Sequence, residues 1–279
     1  MFSDAYFNTY NFPAFLKSAI YSRQSFLLHS DARETNTPVK LYIEEACQEI
    51  AIPILQKNNL NIETDVLWFE TPPLENKMIW ARLSKKLCLY WDKQLTKYER
   101  VIYWDADMFK IPCTFKEIFA RINSVTPRPT FLRVNYMQRR RWRPDMIRAS
   151  VKNTRYVKMP IQEIFDKAEL GRVLQNIQGH LVKPIGGFCV YPAQEFNNKH
   201  QDFLNWLQTH APYIGDDEIC IALAAHKYNI FLNSFSPKWT FVSIYDYLSG
   251  DKEHTFLHGK SESPQYKQIL IDFTLDSQE

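Results

Sequence analysis

The stretch from Tyr98 to Phe109 reads Tyr-Glu-Arg-Val-Ile-Tyr-Trp-Asp-Ala-Asp-Met-Phe, an apolar β-rich run that ends in two carboxylates one residue apart. Val101, Ile102, Tyr103 and Trp104 show no alternation of apolar and polar positions, which is the pattern of a strand covered on both faces. Strands of that kind belong to parallel α/β sheets, whose ligands sit at the carboxyl ends of the strands. Asp105 and Asp107 therefore stand where chemistry is expected. Two hard oxygen donors at close range suit Mg²⁺ or Mn²⁺, which bind carboxylates together with substrate phosphates, so a metal diphosphate is the expected ligand. An Asp-x-Asp can also be a plain solvated turn, and its surroundings have to decide.

Those surroundings alternate strand and helix. Asn11-Phe12-Pro13 opens a helix, with Pro13 in the first turn and Phe15, Leu16, Ala19 and Ile20 on an apolar face. Val39 to Ile43 reads as a strand, Glu44 to Lys57 as a helix that Pro53 should kink or split, and Asp65 to Phe69 as the next strand. A helix from Met78 to Lys93 leads into the central strand, and Phe115 to Ile122 makes a further short helix. The order βαβαβ implies a parallel sheet with right-handed crossovers. Thr130 to Val134 resembles another strand. Asn135 to Lys158 then carries Arg139, Arg140, Arg141, Arg143, Arg148 and Arg155: either a solvated irregular insertion or a lid that grips an anionic acceptor through guanidinium forks, with Tyr136 and Trp142 at hand to stack on sugar. Gly186 and Gly187 enter the apolar run Phe188 to Tyr191, where absent side chains let the backbone approach a ligand. Ala193 to Gln208 is amphipathic, with Phe196, Phe203, Leu204 and Leu207 as core, and a last helix opens at Gly215 with Asp216 as its N-cap.

Size and charge narrow the class. The 279 residues suit one α/β domain over 1–279 with a basic insertion or lid at about 135–180. With 34 Lys+Arg against 31 Asp+Glu, the net +3 is too small to suggest nucleic acid as a partner. An aromatic content of 15% with seven Trp suits a large core, which takes most of these residues, and a cleft able to stack on sugar or base rings. The five cysteines, Cys47, Cys88, Cys113, Cys189 and Cys220, lie far apart without a Cys-x-x-Cys pair, which predicts reduced thiols in a cytosolic setting and no zinc cluster. No leader pattern opens the chain, and no uncharged apolar run is long enough to span a bilayer. The expected location is cytoplasmic, with at most peripheral contact at the inner membrane face.

Arg82-Leu83 followed by Leu95 to Asp107 resembles the central segment of glycosyltransferase family 8, which contains glycogenin and the bacterial lipopolysaccharide galactosyl- and glucosyltransferases. That pattern is a helix bearing Arg-Leu or Lys-Leu, a turn, an apolar strand and a metal-binding Asp-x-Asp. The resemblance covers about residues 80 to 260, is strong at 95–119 and moderate at 185–260. It implies an α/β GT-A (Rossmann-like) nucleotide-diphospho-sugar transferase fold, a mainly parallel central sheet flanked by helices. It implies Mn²⁺ or Mg²⁺ held by Asp105, Asp107 and His258, a UDP-sugar donor, and a carbohydrate, glycolipid or protein acceptor. Thr255-Phe256-Leu257-His258-Gly259-Lys260 resembles the family's late His-x-x-Gly-x-x-Lys signature, with Lys260 on a phosphate and Gly259 beside it; Gly259 follows the His directly, and His254 is a rival ligand. Arg82 is implied to approach the diphosphate, with Lys85 and Lys86 as rivals, and Ala106 lies between the two metal-binding acids. Ile185-Gly186-Gly187-Phe188 and Asp216-Asp217-Glu218 fall where the family has Asn-Ala/Ser-Gly-Val and Asp-Gln-Asp/Glu. This implies Gly186 and Gly187 along the donor and Asp216 and Asp217 at the reacting carbon; Ile185 in place of Asn and Asp217 in place of Gln change the sugar contacts. Ser3-Asp4-Ala5-Tyr6 looks like the family's Asp-bearing turn after the first strand, with Asp4 as a uridine contact, although only Met1-Phe2 precede it: either the chain starts late in that strand or the alignment at this end is wrong.

The activity so implied is transfer of a hexose from UDP-glucose or UDP-galactose with retention, and Asp217 is the one obvious nucleophile for a double displacement; front-face attack is equally open. Two other classes share parts of the pattern. Haloacid-dehalogenase-type phosphatases also end an apolar strand in Asp-x-Asp, but they place it near the N-terminus with Thr or Val two residues on, where this chain has Phe109. A transferase relative without activity would account for Ile185, the altered His258 motif and the short start.

Overall fold

The computed structural model describes residues 12–28, 31–70, 85–90, 92–106, 108–110, 130–133, 146–150, 156–160, 188–194, 201–214, 224, 227–228, 231–234, 241–243, 249–250 and 256–258. In chain order the helices and strands are α1 (Phe12–Leu28), β1 (Leu41–Glu44), α2 (Gln48–Lys57), α3 (Ile62–Asp65), β2 (Val66–Phe69), β3 (Val101–Trp104), β4 (Met108–Lys110), β5 (Thr130–Arg133), β6 (Met146–Ser150), β7 (Tyr156–Pro160), β8 (Phe188–Tyr191), α4 (Gln201–Ile214), β9 (Phe231–Ser234), β10 (Phe241–Ser243) and β11 (Phe256–His258). They form two compact units. One is drawn from Met1–Glu70, Trp104–Ser124 and Phe235–Glu279, the other from Thr71–Tyr103 and Val125–Ser234.

In the first unit α1 opens as its sequence predicts, with Pro13 at the second position, where a missing N–H forfeits no helical bond. Phe12, Leu16, Ala19 and Ile20 are buried, whereas Phe15, expected on the same face, is 43% exposed. Ser18, Ser22 and Ser25, spaced four and three residues apart, make a second buried stripe that the apolar pattern does not announce. β1 runs parallel to β2, pairing Leu41 with Val66 through to Glu44 with Phe69. The two strands are joined by a 3₁₀ turn at Glu45–Cys47, then α2 and α3.

Pro53 does not split α2; it lies inside the helix between Ala51 and Leu55, both fully buried. Core packing there outweighs the lost ladder bond, and the interruption falls earlier, in the 3₁₀ turn. α3 takes Asp65, expected in the strand, because Asn61 caps it: its Oδ1 accepts from the N–H groups of Glu63 at 2.9 Å and Thr64 at 3.2 Å. Arg23 ties α1 to this βαβ unit by donating from Nε to the Val39 carbonyl at 2.7 Å and pairing with Asp65. The core of the unit gathers Phe12, Leu16, Ala19, Ile20, Leu41, Ile43, Cys47, Ala51, Leu55, Leu60 and Val66, with Ile54, Trp68 and Ala106 packed against it. A three-stranded sheet of order β10-β11-β4 completes the unit.

The second unit carries a four-stranded sheet of order β3-β8-β5-β9, in which β5 is parallel to β9 and antiparallel to β8. Parallel pairing is thus present in β1/β2, β5/β9 and β10/β11, and the last two pairs have an antiparallel neighbour in β8 and β4 respectively. β3 was expected to be covered on both faces. Among its residues only Tyr103 is buried, while Val101, Ile102 and Trp104 are half-buried, in keeping with a strand at the end of its sheet. β8 is buried along its whole length. Its Tyr191 hydroxyl donates to the Leu89 carbonyl at 2.7 Å, and the Tyr191 ring lies 4.9 Å from that of Tyr90.

Residues 85–90, expected in an α-helix, form a 3₁₀ helix instead, and a second one follows at Lys93–Lys97. Cys88, Leu89 and Tyr90 are consecutive and all buried, which leaves that segment without the polar face an amphipathic α-helix needs. The helix predicted to stop at Gln208 continues in α4 to Ile214, with Phe203, Leu204 and Trp206 buried. The arginine-rich stretch is not irregular throughout: β6 and β7 pair antiparallel from Met146 opposite Pro160 to Ser150 opposite Tyr156. The helices expected at Phe115–Ile122 and from Gly215, and Arg139, Arg140, Arg141, Arg143 and Arg155, lie outside the described residues.

Candidate active site around the Asp105 turn

Asp105 is the first residue past β3 and is half-buried. The Met108 N–H donates to the Asp105 carbonyl at 3.1 Å and closes the turn into β4. Ala106 packs its side chain against the core of the first unit. From α1, the Ser18 Oγ donates to the Ala106 carbonyl at 2.8 Å, and the Ser22 Oγ donates to the Met108 carbonyl. The same Ser22 oxygen accepts from the Trp104 indole Nε1 at 2.9 Å, and the Trp104 ring stacks on Phe26 with centroids 4.0 Å apart. One helix therefore holds the segment before and after position 107 by hydroxyl-to-backbone bonds. The sequence reading missed Ser18, Ser22 and the Trp104 indole. The only hint was three serines at helical spacing beside an apolar stripe.

β11 brings the second part of the constellation to this turn. It pairs antiparallel with β4 so that His258 is opposite Met108, Leu257 opposite Phe109 and Phe256 opposite Lys110. Opposed Cα atoms in such ladders lie about 4.5–5.5 Å apart. The residue predicted as the distant third ligand thus occupies the register position next to the end of Asp105-Ala106-Asp107, although some 150 residues separate them in sequence. The Met108 side chain beneath this pairing is fully buried.

Asp105 and Ala106 are described in full and His258 by its strand position. Asp4, Asp107, Gly259 and Lys260 of the first unit, and Arg82, Gly186, Gly187, Asp216 and Asp217 of the second, lie outside the described residues, as do His254 and Ile185. Of the three expected metal ligands only the Asp105 side chain is described, and among the described residues no three His, Cys, Asp or Glu side chains are gathered into a metal cluster. The donor types fit a hard divalent cation: carboxylate oxygens suit Mg²⁺ and Mn²⁺ alike, and an imidazole favours Mn²⁺. Cys47, Cys88 and Cys189 are buried and not in disulfides. No helix among the described residues is long and apolar enough to cross a membrane.

No protein-family model matches the sequence, and no curated protein sequence does. Solved structures do match. The chain superposes on the WbbM bifunctional glycosyltransferase with a TM-score of 0.50 at 12% identity, over 88% of this chain and 43% of that one. It is also similar to mouse xyloside xylosyltransferase 1, with 13% identity, 90% and 94% coverage and a TM-score of 0.46. A galactosyltransferase, LgtC, solved with donor and acceptor sugar analogues, gives 10% identity, 96% and 92% coverage and a TM-score of 0.46. The likeness to WbbM carries the fold, and the fold is that of the GT-A glycosyltransferases. This chain spans less than half of the WbbM chain it matches.

Proposed function

We propose that the chain is a glycosyltransferase of the family 8 kind: a metal-dependent, retaining enzyme that moves a hexose from UDP-glucose or UDP-galactose to a hydroxyl of a glycan, glycolipid or protein. The observation that carries this reading is the β4/β11 register. It sets His258 opposite Met108, the residue that follows Asp105-Ala106-Asp107, in a chain with a GT-A fold. A glycosyltransferase needs a counter-charge for a departing diphosphate, and convergence of these acids and an imidazole would supply its anchor.

In this reading Asp105, Asp107 and His258 hold Mn²⁺ or Mg²⁺. When bound, the ion neutralises the charge that builds on the leaving diphosphate, a Lewis-acid contribution of several kcal/mol. Arg82 and Lys260 add fixed positive charge to the same phosphates. Asp4 contacts the uridine, Gly186 and Gly187 admit the donor close to backbone, and Asp216 and Asp217 border the anomeric carbon. The bond from that carbon to the diphosphate breaks, a bond to the acceptor oxygen forms, and the acceptor proton leaves with the phosphate or through Asp217. Retention is met in one of two ways: the acceptor arrives on the face the diphosphate leaves, or Asp217 forms and then surrenders a bond to the sugar.

A donor screen reading UDP release with and without Mn²⁺ tests the proposal, repeated on Asp105→Asn and Asp107→Asn. Release that depends on Mn²⁺ and disappears in both variants is expected. Full activity in either variant discards the metal assignment, and phosphate-ester cleavage without sugar-nucleotide turnover discards the transferase.

A further inference from the structure

We propose that Ser18 and Ser22 of α1 are positioning residues for the metal-binding turn, fixing its backbone on both sides of Asp107 so that the carboxylate pair keeps the separation a single cation requires. The inference rests on the metal site proposed above and adds to it two residues that neither bind the ion nor touch the sugar.

Three observations carry it. The carbonyls of Ala106 and Met108, which flank position 107, are each bound by a serine hydroxyl from the same helix, across sequence separations of 88 and 86 residues. Ser22 also accepts from the Trp104 indole, so one hydroxyl spans the segment from the end of β3 to the start of β4. Ser18 and Ser22 are 2% and 1% exposed. A buried hydroxyl stabilises only through the bonds it makes, and these two donate to the Ala106 and Met108 carbonyls. Alanine would suit a helix packed on a core at least as well by propensity. Two like charges one residue apart repel when no cation lies between them, and a turn held from behind resists that spreading. Groups that orient metal ligands act in this way, through the geometry they impose.

The test is Mn²⁺ binding, read from the free-ion EPR signal with UDP present, in the full chain and in Ser18→Ala, Ser22→Ala and Ile20→Val. Ile20 is buried on the same helix, and its replacement trims a methyl group without removing a hydroxyl. Both serine variants should bind Mn²⁺ about tenfold more weakly, and the rise in melting temperature on adding Mn²⁺ should shrink with them. Ile20→Val should melt lower than the wild type and keep the wild-type dissociation constant. Serine variants that bind as tightly as the wild type overturn the positioning role and leave the metal site standing. Equal weakening in Ile20→Val also overturns it, because the effect would then be general loosening of α1. A wild-type chain that binds no Mn²⁺ overturns the metal site itself. Ser18→Ala removes only one of the two clamps, which keeps the test open should Ser22→Ala fail to fold.

Discussion

The Trp104–Met108 segment of the first unit and the Tyr90/Tyr191 pair of the second both bury hydroxyls, and they use them differently. In the first, small serine hydroxyls from a helix reach main-chain carbonyls beside a half-exposed acid. In the second, a large ring fills the core, and its single polar atom is bound to the Leu89 carbonyl. Tyr191 is fully buried, and burial pushes its pKa well above the ordinary 10.0, with Tyr90, Cys189 and Asp92 adding to the shift. The serine arrangement spends polar groups to fix a backbone. The tyrosine arrangement fixes a side chain and stabilises the fold through apolar area. The buried hydroxyls beside the Asp105 turn therefore bear on backbone geometry, and the one in the aromatic cluster bears mainly on stability.

Substitutions can break or sharpen that contrast. The largest effect is expected at Asp105: Asp105→Asn should lower Mn²⁺-dependent UDP release by about a hundredfold or more, while the melting temperature stays near that of the wild type. In the second unit Phe188→Ala, at a position with no exposure, should cost about 3–5 kcal/mol in denaturant unfolding and leave the Mn²⁺ dissociation constant unchanged in the fraction that is folded. Trp104→Phe keeps a ring to stack on Phe26 and removes the indole donor to Ser22. It should cost about 1–2 kcal/mol and weaken Mn²⁺ binding as well, the signature that separates the two regions.

Tyr191→Phe should have the smallest effect, about 1 kcal/mol at neutral pH, with no change in Mn²⁺ binding. Its signature lies at high pH. The folded chain holds the Tyr191 proton above pH 10.0, where the unfolded chain releases it. The stabilisation from this group is therefore fully present below pH 10.0 and is lost as pH rises toward the folded value. Thermal melts across that range should fall less steeply in Tyr191→Phe than in the wild type. An unchanged slope would remove Tyr191 from the explanation.

How much could be read before folding differs sharply between elements. β1, β2, β3 and β8 were legible because runs of β-branched and aromatic residues have one cheap conformation when covered. The 3₁₀ helix at 85–90 was not, because the consecutive burial of Cys88, Leu89 and Tyr90 is set by packing and not by a helical period. β6 and β7 were masked by arginines, whose charge suggests solvent and says nothing of backbone pairing. In the candidate site, Asp105 stood out at the end of an apolar strand, and the His258 motif stood out through family resemblance. Ser18 and Ser22 did not, since a serine in a helix looks the same whether it faces water or a carbonyl 86 or 88 residues away.

By itself the sequence determined the alternation of strand and helix in the first unit, the strand that ends at Asp105, and the chemical types of the candidate ligands, all of which depend on local periodicity and side-chain chemistry. Tertiary structure alone decided that β11 lies against β4 with His258 opposite Met108, and that α1 turns its serines onto the turn. Strand register and helix rotation are fixed by contacts between segments far apart in the chain, and no local pattern encodes such a pairing.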